Sequence, residues 1–115
     1  MNNTNQQIAE QFSAGKFHVI YPVISPDIAW QMVGEPTATT GKDAVIEFCE
    51  RMSAEANQTS FTNTNTIIQG DYVVVEGYCT YTVDGKEGRV NYCDVFLFEG
   101  SLLKTITSYA IELKR

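Results

Sequence analysis

Histidine, basic residues and cysteine are all scarce in this chain of 115 residues, and each shortage closes off a class of function. Eight Lys and Arg stand against fourteen Asp and Glu, a net charge of -6. Nucleic-acid binding needs a basic surface to meet phosphates, so no nucleic-acid partner is expected. The single histidine, His18, comes with no H-E-x-x-H or EF-hand spacing, and no metal is expected. Cys49, Cys79 and Cys93 are odd in number and contain no C-x-x-C pair. Neither a disulfide framework nor a zinc site follows, and a reducing, cytoplasmic setting fits them. No apolar run approaches the roughly 18 residues of a membrane span. The opening MNNTNQQIAEQF has neither the basic nor the apolar region of a secretory leader. Neither G-x-x-x-x-G-K nor G-x-G-x-x-G occurs, so no phosphate cradle and no cofactor are expected.

What is present is an ordinary globular balance, 43% hydrophobic and 19% charged, at a length that suits one domain over residues 1–115. Ile8, Ala9 and Phe12 have helical spacing within residues 4–14, and Gly15 follows as a stop. Phe17, Ile20, Tyr21 and Ile24 predict a second short helix, limited by Pro22 and by Ser-Pro-Asp at 25–27. Ile28, Trp30 and Met32 alternate with Ala29, Gln31 and Val33, a strand ended by Gly34-Glu35-Pro36. The clearest helix follows, with Thr40 as its cap and a stripe of Val45, Phe48, Cys49, Met52 and Ala56. After it, residues 58–69 are rich in Thr and Asn, and 72–83, 87–98 and 102–113 are β-branched and aromatic. Helices first and a long antiparallel meander last make an α+β layout, with the helices on one face of a curved sheet.

Asp94 stands out within NYCDVFLF, because an ionised carboxylate among apolar side chains is costly without a partner. Asp84-Gly85 reads as a two-residue hairpin turn, which pairs Val83 with Lys86, Gly77 with Tyr92 and Val75 with Asp94. Val73, Val75, Gly77, Cys79, Tyr81, Val90, Tyr92, Asp94, Phe96 and Phe98 then share the helix-covered face. Glu87, Arg89, Asn91, Cys93 and Val95 share the other. A second two-residue turn at Glu99-Gly100 would set Asp94 opposite Thr105, Tyr92 opposite Thr107 and Val90 opposite Tyr109. A few convergent polar groups on an apolar concave wall describe a small-molecule site.

Three stretches resemble the NTF2-like superfamily, in particular its SnoaL-like and ketosteroid-isomerase-like members. SAGKFHVIYPVISPDIAW is similar to the family's paired helices and the Asp opening its first strand. TTGKDAVIEFCERM is similar to its Gly-x-x-Ala-Ile-x-x-Phe helix, and DVFLFEGSLLKTITSY to its closing hairpin. The resemblance covers nearly the whole chain. It implies a cone, a strongly bent and mainly antiparallel sheet wrapped round helices, with a pocket in the open end and usually a dimer. It also sets Asp94 where ketosteroid isomerases keep a protonated aspartate. That family's general base would fall at Met32 and its oxyanion tyrosine near Ile8, which argues against steroid isomerisation by that route.

The expected ligand is therefore a small apolar or aromatic molecule, met by Trp30, Met32, Phe48, Tyr81, Tyr92, Asp94, Thr105, Thr107 and Tyr109. The alternative is a cyclase, isomerase or dehydratase with Asp94 as acid/base, assisted by Tyr92, Tyr109 or His18. His18 lies off the apolar stripe of its helix and is expected to be exposed. A third possibility is an interaction module with a filled pocket, associating through an outer face around Tyr78, Thr80, Cys93, Val95 and Ile106. A homodimer through that face is expected in any case.

Overall fold

The turn at Asp84-Gly85 sets the register of the sheet. In a computed structural model that describes residues 4–55 and 59–113, both turn residues have positive φ, 52° and 77°. That is the type I′ geometry whose twist matches paired strands. Tyr72–Val83 (β4) and Lys86–Glu99 (β5) accordingly pair from Val83 with Lys86 down to Tyr72 with Leu97, through Gly77 with Tyr92 and Val75 with Asp94. The Thr- and Asn-rich stretch, Thr59–Gln69 (β3), adds to the free side of β4, with a bulge between Asn63 and Asn65. Leu102–Glu112 (β6) closes the meander on β5.

The early strand, Ile24–Met32 (β1), runs parallel to β6, and a two-residue strand at Thr39–Thr40 (β2) completes the order β2-β1-β6-β5-β4-β3. β1 starts four residues earlier than its alternation predicts, because the Ser-Pro-Asp segment is carried as an irregularity in the β1–β6 pairing. Thr40 is not the helix cap expected of it. It pairs with Ala29 in the ladder, and the helix Lys42–Glu55 (α2) starts after Gly41. Ala56, assigned to the stripe of that helix, lies outside the described residues.

Asn5–Ser13 (α1) opens with a full capping box. Thr4 Oγ1 accepts from the Gln7 amide at 3.1 Å, and Gln7 Oε1 accepts from the Thr4 amide at 2.9 Å. Gly15 follows with φ of +96°, and a Cβ there would meet the Phe61 ring at 2.7 Å, so the glycine is needed for both reasons. A 3-10 helix, Phe17–Val23, replaces the second helix. It contains Pro22, which has no amide hydrogen to continue an α-helix.

The helices cover the inner sheet face around Phe12, which is 2% exposed. Phe12 meets Phe17, Trp30 and Phe96 edge to face, with centroids 5.2–5.6 Å apart. Such pairs add about 0.5–1.5 kcal/mol each beyond their buried area. Ile106, assigned to the outer face, is fully buried opposite Phe96.

Candidate functional site

The second hairpin turn lies one residue further on than Glu99-Gly100. Glu99 pairs with Leu102 across Gly100 and Ser101, and Phe98 with Leu103. A bulge then skips Lys104, so Leu97 pairs with Thr105 and Asp94 with Ser108. The later turn moves each partner by two residues and leaves the faces unchanged. The bulge adds one more, and a one-residue slip exchanges the faces. Thr105 and Thr107 therefore sit opposite Leu97 and Val95 on the outer face, not beside Asp94. Ser108 takes the inner position.

Asp94 is 8% exposed, and the Ser13 hydroxyl donates to its Oδ2 at 2.7 Å. Ser108 Oγ accepts from the Trp30 indole Nε1 at 3.0 Å, and its hydroxyl bears on the Asp94 carboxyl across the ladder. Burial pushes the Asp94 pKa up, and the Ser108 and Ser13 hydroxyls oppose that shift. Tyr92 lies flat over Gly77, where a Cβ would come within 2.6 Å of its hydroxyl. That hydroxyl donates to Asn63 Oδ1 at 2.6 Å, and Asn63 Nδ2 donates to the Glu10 carbonyl at 2.9 Å. Burial, with the Asp94 charge added, raises the Tyr92 pKa.

Beside Asp94 is a cavity of about 150 Å³, walled mainly by Phe12, Phe17, Trp30, Met32, Phe61 and Tyr92. Cys79, Val90 and Met52 lie toward its half-buried rim. Of the residues named from the sequence, Trp30, Met32, Tyr92, Asp94 and Tyr109 line it. Tyr109 belongs to the strand wall but is 46% exposed, since the bulge turns its side chain to the outer face with Cys93. Phe48 packs against Trp30 with ring centroids 4.8 Å apart and planes tilted by 43°, and it does not line the cavity. Tyr81 lies beyond the rim, packed over Gly88. His18 is exposed and away from it. Cys49 is fully buried, and burial pushes its thiol up to about 12, out of the reactive range.

Two polar residues of the site escaped the sequence, as did the wall residues Phe12, Phe17 and Phe61. Ser13 lies four after Ala9, a polar residue on the buried side of α1, and that placement was a readable signal. Ser108 was hidden by the bulge. Among the described residues no group of three or more His, Cys, Asp or Glu is placed to hold a metal, and no helix is long and apolar enough to cross a membrane.

Helices packed in a bent six-stranded sheet, with a buried carboxyl at the wall of an apolar cavity, define an NTF2-like protein. A profile of the SnoaL-like domain matches residues 6–105, and the chain belongs to that family. Its fold is similar to that of an NTF2-like protein of unknown function from Cytophaga hutchinsonii, at 41% identity and a TM-score of 0.85 over 90% of this chain and 93% of that one. A SnoaL-like polyketide cyclase assigned in Jannaschia sp. CCS1 superposes with a TM-score of 0.75 at 13% identity, over 96% and 90% of the two chains. An NTF2-like protein of unknown function from Burkholderia pseudomallei does so at 0.70 and 22%, over 92% and 90%. No curated protein matches the sequence.

Proposed function

We propose that this domain binds a small, largely apolar or aromatic molecule in the cavity beside Asp94, with the carboxyl as its polar anchor. The observation that carries the reading is an apolar void closed on one side by a buried acid. Proteins tolerate a buried carboxyl of this kind at working sites more readily than in packing. The cavity is smaller than the roughly 300–1,000 Å³ of drug-sized pockets. About 150 Å³ suits a single ring. A homodimer through the outer sheet face and a cytoplasmic setting, where thiols stay reduced, belong to the same proposal.

The acid/base alternative draws its support from the raised pKa of Asp94. Its second group would have to be Tyr92, Tyr109 or His18, and Tyr109 is turned to the outer face. The Tyr92 hydroxyl is committed to Asn63, and His18 is remote.

Trp30, the only tryptophan, lines the cavity and reports directly on its contents. Titration with single-ring compounds should change its fluorescence saturably, and Val90→Phe, which fills the rim, should abolish the response. A flat response across a panel of such compounds would remove the binding reading.

A further inference from the structure

We propose that the ligand is a small organic cation, a protonated amine on a ring-sized apolar body, whose ammonium group is held by the Asp94 carboxylate among the aromatic side chains. This rests on the reading of the cavity as a binding site and specifies its chemistry.

The direction of the hydrogen bonds is the first ground. Ser13 donates to Oδ2. The Ser108 oxygen takes the Trp30 indole hydrogen on one lone pair, and its hydroxyl proton is free to turn to the carboxyl. Both neighbours can therefore donate to Asp94, and both hydrogen bonds favour its anion. A carbonyl ligand would need Asp94 to keep a proton of its own and donate it.

Charge is the second ground. Among the described residues no Lys, Arg or His lines the cavity, so an ionised Asp94 meets no counter-ion from them there. Phe12, Phe17, Trp30, Phe61 and Tyr92 line the same small space, and aromatic rings attract ammonium groups through their quadrupoles. An ammonium ion answers both the missing charge and the aromatic wall, and a neutral ring answers only the second.

A pH signature follows. Around Asp94, α1 offers Phe12 and Ser13, the 3-10 helix offers Phe17, and β1, α2 and β3 offer Trp30, Met32, Met52 and Phe61, none of which titrates. β4, β5 and β6 offer Cys79, Tyr92 and Tyr109, and burial raises the first two. Asp94, raised above the ordinary carboxylate range, is therefore the group at the cavity that gives up its proton first as pH rises. A cation drives the proton off it, so affinity should climb as pH rises through its titration.

The test titrates Trp30 fluorescence with cyclohexylamine, cyclohexanol and cyclohexanone, three bodies of nearly one shape, from about pH 5 to about pH 8. The amine is expected to bind about tenfold or more tighter than the alcohol at the upper end. Its affinity should rise with pH, and Asp94→Asn should remove its advantage. Should that variant fail to fold, the pH profile of the unaltered protein decides alone. Tightest binding by the ketone, weakening as pH rises, would overturn the cation and leave the cavity reading intact. Equal, pH-independent binding of all three would do the same. If none binds at millimolar concentration, both readings fall.

Discussion

Asp94 is costly to the fold where it stands, and in the proposed binding reading the same burial makes it an anchor. Burial lifts its folded pKa above the unfolded value, so the folded protein holds the proton at pH values where the unfolded chain has released it. The group is harmless in acid and destabilises increasingly as pH rises through the folded pKa. Asp94→Asn is therefore expected to raise the Tm of the ligand-free protein by several degrees at neutral pH, with the gap closing toward about pH 4, as followed by thermal melts across pH. A fall in Tm at neutral pH would mean that the two serines stabilise the anion more than burial opposes it. Asp27 behaves in the opposite way. Lys104 Nζ contacts its carboxylate at 2.8 Å and, with Ser25, holds its pKa at about 2, but the pair is exposed and contributes little.

Between elements, the contacts that shape the cavity depend on residues that are absent as much as on those present. Gly77 in β4 lets Tyr92 in β5 lie across it and reach Asn63 in β3, tying three strands together. Gly77→Ala would drive a Cβ into the Thr62 carbonyl and the Tyr92 ring. It should cost about 1–3 kcal/mol by urea denaturation, as overpacking usually does. This interlock was legible in the sequence, because Asp84-Gly85 fixes the β4–β5 register and both glycine and tyrosine then fall in place. The helix α1 was legible through Ile8, Ala9 and Phe12. The β5–β6 register was not. The pairing of an aspartate with a threonine or a serine looks alike in sequence, and nothing near Lys104 announces a bulge. The site was thus readable as far as Asp94, Tyr92, Trp30 and Met32, whose strands were set by local turns and alternation. It was misread where Thr105 and Thr107 stood in for Ser108. The two-residue strand at Thr39–Thr40 was too short for any periodicity to show.

On the scale of the whole molecule, the inner sheet face is spent on the helices and the cavity, and the outer face keeps its apolar groups in water. Ile67, Tyr72, Tyr109 and Ile111 are 46–66% exposed there, spread over three strands. Patches of that kind usually mark an interface. Sedimentation at micromolar concentration is expected to show a dimer, and Ile111→Glu to shift it toward monomer without lowering the Tm of the subunit. A monomer for the unaltered protein would end the dimer proposal and leave the cavity untouched.

The bulge at Lys104 also bears on how this protein is to be compared with its relatives. Beyond that point the strand has traded its two sides, so the same β6 paired without the bulge would set Thr107 opposite Asp94 and turn Ser108 outward, with every letter the same. Two members of the family could then share a nearly identical β6 and offer a ligand different walls. The lining of this cavity would then change with the gain or loss of one bulge, with no substitution at any residue that lines it.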